Sequence, residues 1–358
     1  MNITCKTREL AEEIRLLEKV ISDKTPIPIL TCVLFEAADD TLALTATDLE
    51  VGLISICDAV ITEPGQVALP AGKLLALLNQ LLTEDVTIAT NDKNQVIITS
   101  GTFKSRLQTW SVDDFPTMPK VTGDKITIDG DTLNSLIAKT NYAVSDKTQM
   151  YLIKGALFNL VAPTVGIIAT DGFRISIATA AQSEGVAPNI LIPSKTLDTL
   201  LALRPEGPVD YSYSDRHLFF TMGSRALFSR MVEGKFPNVS HVPKTLPNKC
   251  EINKDTLGTV LKRVSALIDK VPAVTLVFTP GLLFVNVRNV QVGDASEEMQ
   301  MVYDGPSTTL CMNYTFMLDF IKQAENEIIN IEFQDSTKPM IMIDSNNFMN
   351  IILGMHGS

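Results

Sequence analysis

Apolar positions along this chain follow two periods that take turns. Leu10, Ile14, Leu17 and Ile21 recur at helical spacing within residues 6–21, so this stretch predicts an amphipathic helix with one buried stripe. Directly after it, "TCVLFEA" and "TLALTA" switch to the two-residue period of half-buried strands, hinged on the polar pair Asp39-Asp40. "GKLLALLNQLL" returns to the helical period, and "DVTIAT" and "VIITSG" resume the strand period around "NDKNQ". A helix followed by strands thus occurs twice in the first third of the chain. The same reading along the whole length predicts helices over 6–21, 70–82, 129–145, 193–204, 253–270 and 312–326.

The pattern is copied. "LALTATDLEVGLISI", from Leu42, returns as "TVGIIATDGFRISIA", from Thr164, and both turn on Ala-Thr-Asp, at Asp48 and Asp171. A shift of 123 residues relates those aspartates, and it also carries Leu10 onto Leu133, Ser22-Asp23 onto Ser145-Asp146 and Pro70 onto Pro193. Phe115-Pro116 returns at Phe236-Pro237. A third, more worn copy places Leu257 a further 124 residues on; "LLFVNVRNVQVG" fills the hairpin slot with Asn289 opposite Asp171, and "TLCMNYTFMLDFIKQA" fills the slot of the second helix. Ordered self-similarity at one period means one structural unit repeated. The chain therefore reads as α+β, with three tandem domains over 1–121, 122–246 and 247–358 and Pro/Lys-rich joins at "PKVTGDK" and "PKTLPNK". Each domain buries two helices against antiparallel sheets.

Composition narrows the chemistry. With 45% hydrophobic residues in 358, the chain has ample core and is not a disordered protein. No apolar run approaches the roughly 20 residues that span a bilayer, and the N-terminus turns charged at once, so a cytoplasmic protein is expected. Cys5, Cys32, Cys57, Cys250 and Cys311 are scattered without a CxxC pair, and His217, His241 and His356 lack metal-ligand spacing. "PAGK" lacks the glycines of a phosphate-binding loop, and Gly-x-Ser-x-Gly is absent. No catalytic centre, metal or cofactor is expected, which weighs against an enzyme with a site between repeated domains.

Charge separates two remaining readings. A net charge of −11 ordinarily argues against nucleic acid as a partner. Its distribution points the other way: the six predicted helices hold 13 basic and 11 acidic residues, and the remainder holds 17 basic and 30 acidic. Helices sharing one surface would suit a polyanion, while the strands and loops repelled it. The alternative is a soluble repeat scaffold that binds only proteins.

Three tandem α+β units, "ATDGFRIS" and "KFPN" in the second, and a short apolar C-terminus together resemble the bacterial sliding clamp family, the DNA polymerase III beta subunit. The resemblance implies a DNA-clamp (processivity-fold) domain in three copies, in a ring-shaped head-to-tail homodimer with helices inside and sheets outside. Duplex DNA would be encircled without sequence preference, and its phosphates would be met sparsely. The DNA-facing candidates are Lys24, Lys73, Lys139, Lys147, Gln149, Lys195, Lys262 and Arg263. The resemblance further implies a hydrophobic groove for short peptides from the DNA polymerase III alpha subunit, the clamp loader, and other polymerases and repair proteins. Carried over by position, it comprises Leu152, Thr170, Gly172, Phe173, Arg174, Ile175, Pro237, His241, Val242, Ile351, Leu353, Gly354 and Met355. Arg174 would orient a peptide carbonyl or acid there. Removal of everything from Ile351 on would abolish peptide binding and leave the dimer intact. The tail departs from the family: Gly354 stands where proline is common, His356 and His241 where arginine is, and Phe173 where histidine is frequent.

Overall fold

The computed structural model describes residues 1–22, 25–38, 41–91, 93–144, 154–232, 234–239, 241–289 and 292–355. Among these, one arrangement occurs six times: a strand, a helix, and an antiparallel meander of three strands. The first copy is β1 (Asn2–Lys6), α1 (Thr7–Glu18), β2 (Cys32–Ala38), β3 (Thr41–Thr47) and β4 (Val51–Cys57). A short β5 (Val60–Glu63) precedes the second: β6 (Gly65–Pro70), α2 (Ala71–Leu78), β7 (Asp85–Asn91), β8 (Gln95–Ser100) and β9 (Phe103–Gln108). The third is β10 (Ile126–Asp129), α3 (Gly130–Ala138), β11 (Gly155–Val161), β12 (Thr164–Thr170) and β13 (Arg174–Ala181). The fourth is β14 (Val186–Pro193), α4 (Ser194–Leu203), β15 (Pro208–Tyr213), β16 (His217–Met222) and β17 (Arg225–Arg230). The fifth is β18 (Asn248–Asn253), α5 (Lys254–Val264), β19 (Ala273–Thr279), β20 (Leu282–Asn289) and β21 (Gly293–Gln300). The sixth is β22 (Thr308–Asn313), α6 (Tyr314–Gln323), β23 (Ile328–Phe333), β24 (Met340–Ser345) and β25 (Phe348–Ile352).

Each leading strand joins the meander of its companion copy and not its own. So β1 pairs with β7 and β6 with β2, and the same exchange links β10 to β15, β14 to β11, β18 to β23 and β22 to β19. This interlock makes two copies one repeat, which is why the sequence repeats at about 120 residues although its grammar repeats at half that length. Four antiparallel sheets result, in the orders β5-β1-β7-β8-β9, β10-β15-β16-β17-β4-β3-β2-β6, β14-β11-β12-β13-β25-β24-β23-β18 and β21-β20-β19-β22.

Compactness follows the sheets. One unit contains Met1–Asn134 and Lys195–Met231, and the other contains Ser135–Ser194 and Val232–Ser358. The middle repeat contributes half of itself to each, because its meanders are welded into eight-stranded sheets through β17–β4 and β13–β25. In the first unit α1 buries Leu10, Ala11, Ile14 and Leu17 and packs against α2, β3 and β4. In the second, α5 and α6 pack together over Leu257, Leu261, Val264, Met317 and Phe320. Each buried leucine of this kind contributes about 2 kcal/mol.

The helices are shorter than their patterns predict. After α1, the Lys19 and Val20 amides donate to Leu16 and Leu17 carbonyls three residues back, so the last turn tightens and stops. After α3, the Thr140 hydroxyl donates to the Leu136 carbonyl at 2.7 Å, taking an acceptor from the helix ladder. Residues beyond α5 make only a 3-10 turn, Ser265–Leu267. Apolar side chains in these extensions keep helical spacing without keeping helical hydrogen bonds. No helix among the described residues is long and apolar enough to cross a membrane.

Candidate functional site

The Ala-Thr-Asp signature is a turn closed by its own polar groups. Between β12 and β13, the Thr170 hydroxyl donates to the Arg174 carbonyl at 2.6 Å and accepts from the Gly172 amide at 3.1 Å. One Asp171 oxygen, Oδ1, accepts from the amides of both Phe173 and Arg174 at 3.0 Å. This is the local bonding by which Asp and Thr favour turns. Gly172 sits at φ +89°, in the left-handed region where a glycine is unstrained. The turn thereby holds Phe173 outward, 64% exposed, where an apolar ring gains nothing from the fold.

Arg174 is the keystone behind that turn. It is 8% exposed. Its Nε donates to Asp171 Oδ2 at 3.0 Å, its Nη1 to Asp319 Oδ2 at 2.6 Å, and its Nη2 to the Tyr142 carbonyl. The guanidinium plane also lies 4.2 Å from the Phe316 ring centroid and 5.1 Å from that of Tyr142. Three of its five N–H donors are thus engaged with its own chain. Through Asp319 and Phe316 it ties the turn to α6. Tyr142, whose phenol burial pushes above its ordinary pKa, donates to or accepts from the Ser176 hydroxyl at 3.0 Å on the same side of β13.

The C-terminal strand lies directly alongside. Ile175 is opposite Ile351 and Arg174 opposite Ile352 in the β13–β25 ladder. Beyond the strand the Leu353 amide donates to the Phe173 carbonyl at 2.9 Å, and the Met355 amide to the Cys311 carbonyl at 2.8 Å. On the sheet face away from Arg174, Ile341, Ile351 and Leu246 form a buried cluster, with Ile175, Ile177, Val242 and Ile343 half-buried against it. Leu353, 46% exposed, Phe173 and the half-buried Met355 continue this apolar surface toward solvent. Pro237 is half-buried, and His241 and Gly354 are exposed. Thr170 and Ile351 are buried. β25 runs between β13 and β24, so a cut before Ile351 would take the last two residues of a central strand, Ile351 and Ile352, and with them their pairing to Ile175 and Arg174. The removable tail starts at Leu353. Leu152 lies outside the described residues.

The basic candidates divide sharply. Lys24, Lys147 and Gln149 lie outside the described residues. Lys73, on α2, and Lys262, on α5, are exposed, with no carboxylate within 4 Å among the described residues. Lys195 is tied down: its Nζ donates to Asp48 Oδ2 at 2.5 Å and to the Val20 carbonyl. Lys139 pairs with Glu325 at 2.7 Å and lies 5.7 Å from the Phe348 ring. Arg263 is exposed and forks onto Glu297. Partly buried pairs such as those of Lys195 and Lys139 hold elements together before they attract a polyanion.

Sequence reading missed Tyr142, Phe316 and Asp319, because nothing in their local pattern announces contact with a residue 32 to 145 positions away. It also missed Leu246 and Glu332. The Glu332 carboxylate is buried, which acts to raise its pKa; hydrogen bonds from Lys249, the Leu246 amide and Thr245 outweigh this and hold it below the usual range. That carboxylate anchors the segment bearing Val242 and Leu246 to β23, with the Leu246 amide at 2.8 Å. Burial pushes the thiols of Cys32 and Cys57 up to about 11, and those of Cys5 and Cys250 to about 12, away from the reactive thiolate.

Comparisons with known proteins match this geometry along the whole chain. Family models described as the N-terminal, central and C-terminal domains of the DNA polymerase III beta subunit match residues 1–119, 127–238 and 240–356. The beta sliding clamp of Chlamydia muridarum is 27% identical over 361 residues, covering 99% of each chain. That of Caulobacter vibrioides is 28% identical over 357 residues, covering 96% of each. The solved sliding clamp of Caulobacter crescentus superposes with a TM-score of 0.92 at 27% identity over 100% of both chains. The Bacillus subtilis clamp, at 23% identity and a TM-score of 0.94 over 100% of both chains, shares the fold.

Proposed function

We infer that this chain, which belongs to the DNA polymerase III beta subunit family, serves replication as a DNA sliding clamp. It is a processivity factor and not an enzyme: it keeps a polymerase on duplex DNA by encircling the duplex as a dimeric ring. Its partners are DNA, the polymerase and other clamp-binding proteins, and it works in the cytoplasm.

The observation that carries ring closure is a pair of unlike open edges. Among the described residues β9 pairs only with β8, and its exposed side chains include Lys104 and Arg106. Among the described residues β21 pairs only with β20, and it carries Asp294, Glu297 and Glu298. Unpaired edges invite another strand. A basic edge meeting an acidic one selects β9 of one copy against β21 of the next, a head-to-tail contact that can close into a ring. Self-pairing of either edge would set like charges together.

The groove beside the Asp171 turn receives peptides. Phe173 and Leu353 form its rim, Ile175, Val242 and Met355 its walls, and Ile351 its floor, with Pro237 and His241 as further candidates. Aliphatic and Met side chains offer an adaptable apolar surface that suits more than one partner. Toward DNA, Lys73 and Lys262 supply sequence-blind phosphate attraction, and Lys24, Lys147 and Gln149 remain candidates. Sparse attraction fits a ring that must slide. Retention on nicked circular DNA, after loading with a clamp loader and ATP, tests the reading. Retention on the circle with escape once the circle is linearised is expected. Equal retention on circular and linear DNA would leave the protein-only scaffold as the better account.

A further inference from the structure

The peptide-groove framework occurs twice in this chain. At Asp48, between β3 and β4, every bond of the Asp171 turn reappears. The Thr47 hydroxyl donates to the Val51 carbonyl at 2.9 Å and accepts from Leu49, and Asp48 Oδ1 accepts from the amides of Glu50 and Val51 at 3.0 and 2.8 Å. The neighbouring strand leaves in the same way, with the Arg230 amide donating to the Glu50 carbonyl at 2.7 Å as Leu353 does to Phe173. Register fixes the counterparts. Gly52 is opposite Phe228 as Ile175 is opposite Ile351, and Phe228 lies opposite Phe219 across the β16–β17 ladder as Ile351 lies opposite Ile341.

The faces also agree. Ser229 bonds to Thr196 of α4 and Ser55 to Glu13 of α1, so Gly52 and Phe228 point away from the helices, as Ile175 and Ile351 do. The contents differ. A Cβ at Gly52 would overlap the Phe228 ring, which therefore fills the space above the glycine. Phe228 is 6% exposed and Phe219 3%. At the rim, the exposed Glu50 and Arg230 stand where Phe173 and Leu353 stand in the second unit.

We propose that the first unit holds a second peptide groove that is kept shut by the chain's own Phe228 ring and charged at its rim, so that each chain takes one peptide and not two. Phe228 occupies the place a peptide's apolar side chain would take, and Glu50 and Arg230 deny an apolar segment a dry rim. The proposal rests on the groove reading of the second unit.

The test uses the full chain and a fluorescein-labelled synthetic peptide copying the clamp-binding segment of a DNA polymerase III alpha subunit, with stoichiometry read from anisotropy titrations. Wild type is expected to saturate at one peptide per chain. Phe228→Ile combined with Glu50→Phe and Arg230→Leu is expected to saturate at two. Adding Leu353→Asp should then remove one of them, leaving the new site. Phe228→Ala with the same rim changes is the second variant, and either one folded suffices. A folded variant that still saturates at one peptide overturns the proposal alone. A wild type that binds none overturns the groove reading and this inference with it.

Discussion

Replacing Arg174 with alanine isolates what the Asp171 turn contributes. The substitution removes three donated hydrogen bonds and the stack on Phe316, and it leaves Asp171, whose side chain is 14% exposed, without its cation. Breaking a buried pair by deleting one partner costs about 3–5 kcal/mol. Asp319 is 41% exposed and regains water, so the lower end, about 3 kcal/mol, applies. At about 1.4 kcal/mol per tenfold, the turn should open roughly 150 times more often. Hydrogen exchange reads this locally: the amides of Phe173, Arg174 and Leu353 should lose protection by that factor, while those paired between β1 and β7 keep theirs. Peptide affinity should fall as well, because the rim made by Phe173 and Leu353 is fixed by this turn. Arg174→Lys should behave nearly as badly, since a compact ammonium cannot span three separated acceptors that a planar fork reaches from three nitrogens. A change in turn protection under threefold would refute the keystone role.

Four further outcomes are expected. Phe173→Asp or Leu353→Asp should weaken peptide binding at least tenfold in anisotropy titrations without altering the dimer, since both side chains are exposed. Lys104→Glu with Arg106→Glu should yield monomers by sedimentation, and Asp294→Lys with Glu298→Lys on the partner should restore dimers; an unchanged dimer would remove β9 from the interface. Lys73→Glu and Lys262→Glu should each shorten retention on circular DNA and lower its salt slope by about one, whereas Lys195→Glu should chiefly destabilise the first unit, because it sets like charge on Asp48. Glu13 is the pH-sensitive tie of that unit. Burial acts to raise its pKa, but hydrogen bonds from Arg225 and Ser55 prevail and hold it below the ordinary 4.5. A depressed folded value means the stabilisation is full above that pH and is lost as pH falls through the lower folded value. Glu13→Gln should therefore cost roughly 2 kcal/mol in urea unfolding at neutral pH, the worth of a hydrogen bond to a charged group, and the gap from wild type should close in acid.

What the sequence determined by itself was periodic. The stripe of Leu10, Ile14 and Leu17, the alternation in "TLALTA" and the 123-residue echo of Asp48 at Asp171 each depend on neighbours a few residues apart or on copying, and both are visible in one dimension. The Asp171 turn was legible for the same reason, since Thr170 and Asp171 bond to amides within four residues. Helix ends were less so, because Thr140 bonding back to Leu136 competes with a helix whose apolar spacing continues. Tertiary structure alone decided the rest. Exchange of leading strands and the β17–β4 and β13–β25 joints set which residues share a sheet, and no local pattern encodes pairing partners so far apart. Those joints made Ile351 a buried residue of a central strand and not part of a loose tail. They also consigned Lys195 and Arg174 to ion pairs within the fold, and set Phe228 over Gly52. A charge or an aromatic ring reads the same in sequence whether it faces a ligand or its own chain, and only the packing distinguishes the two.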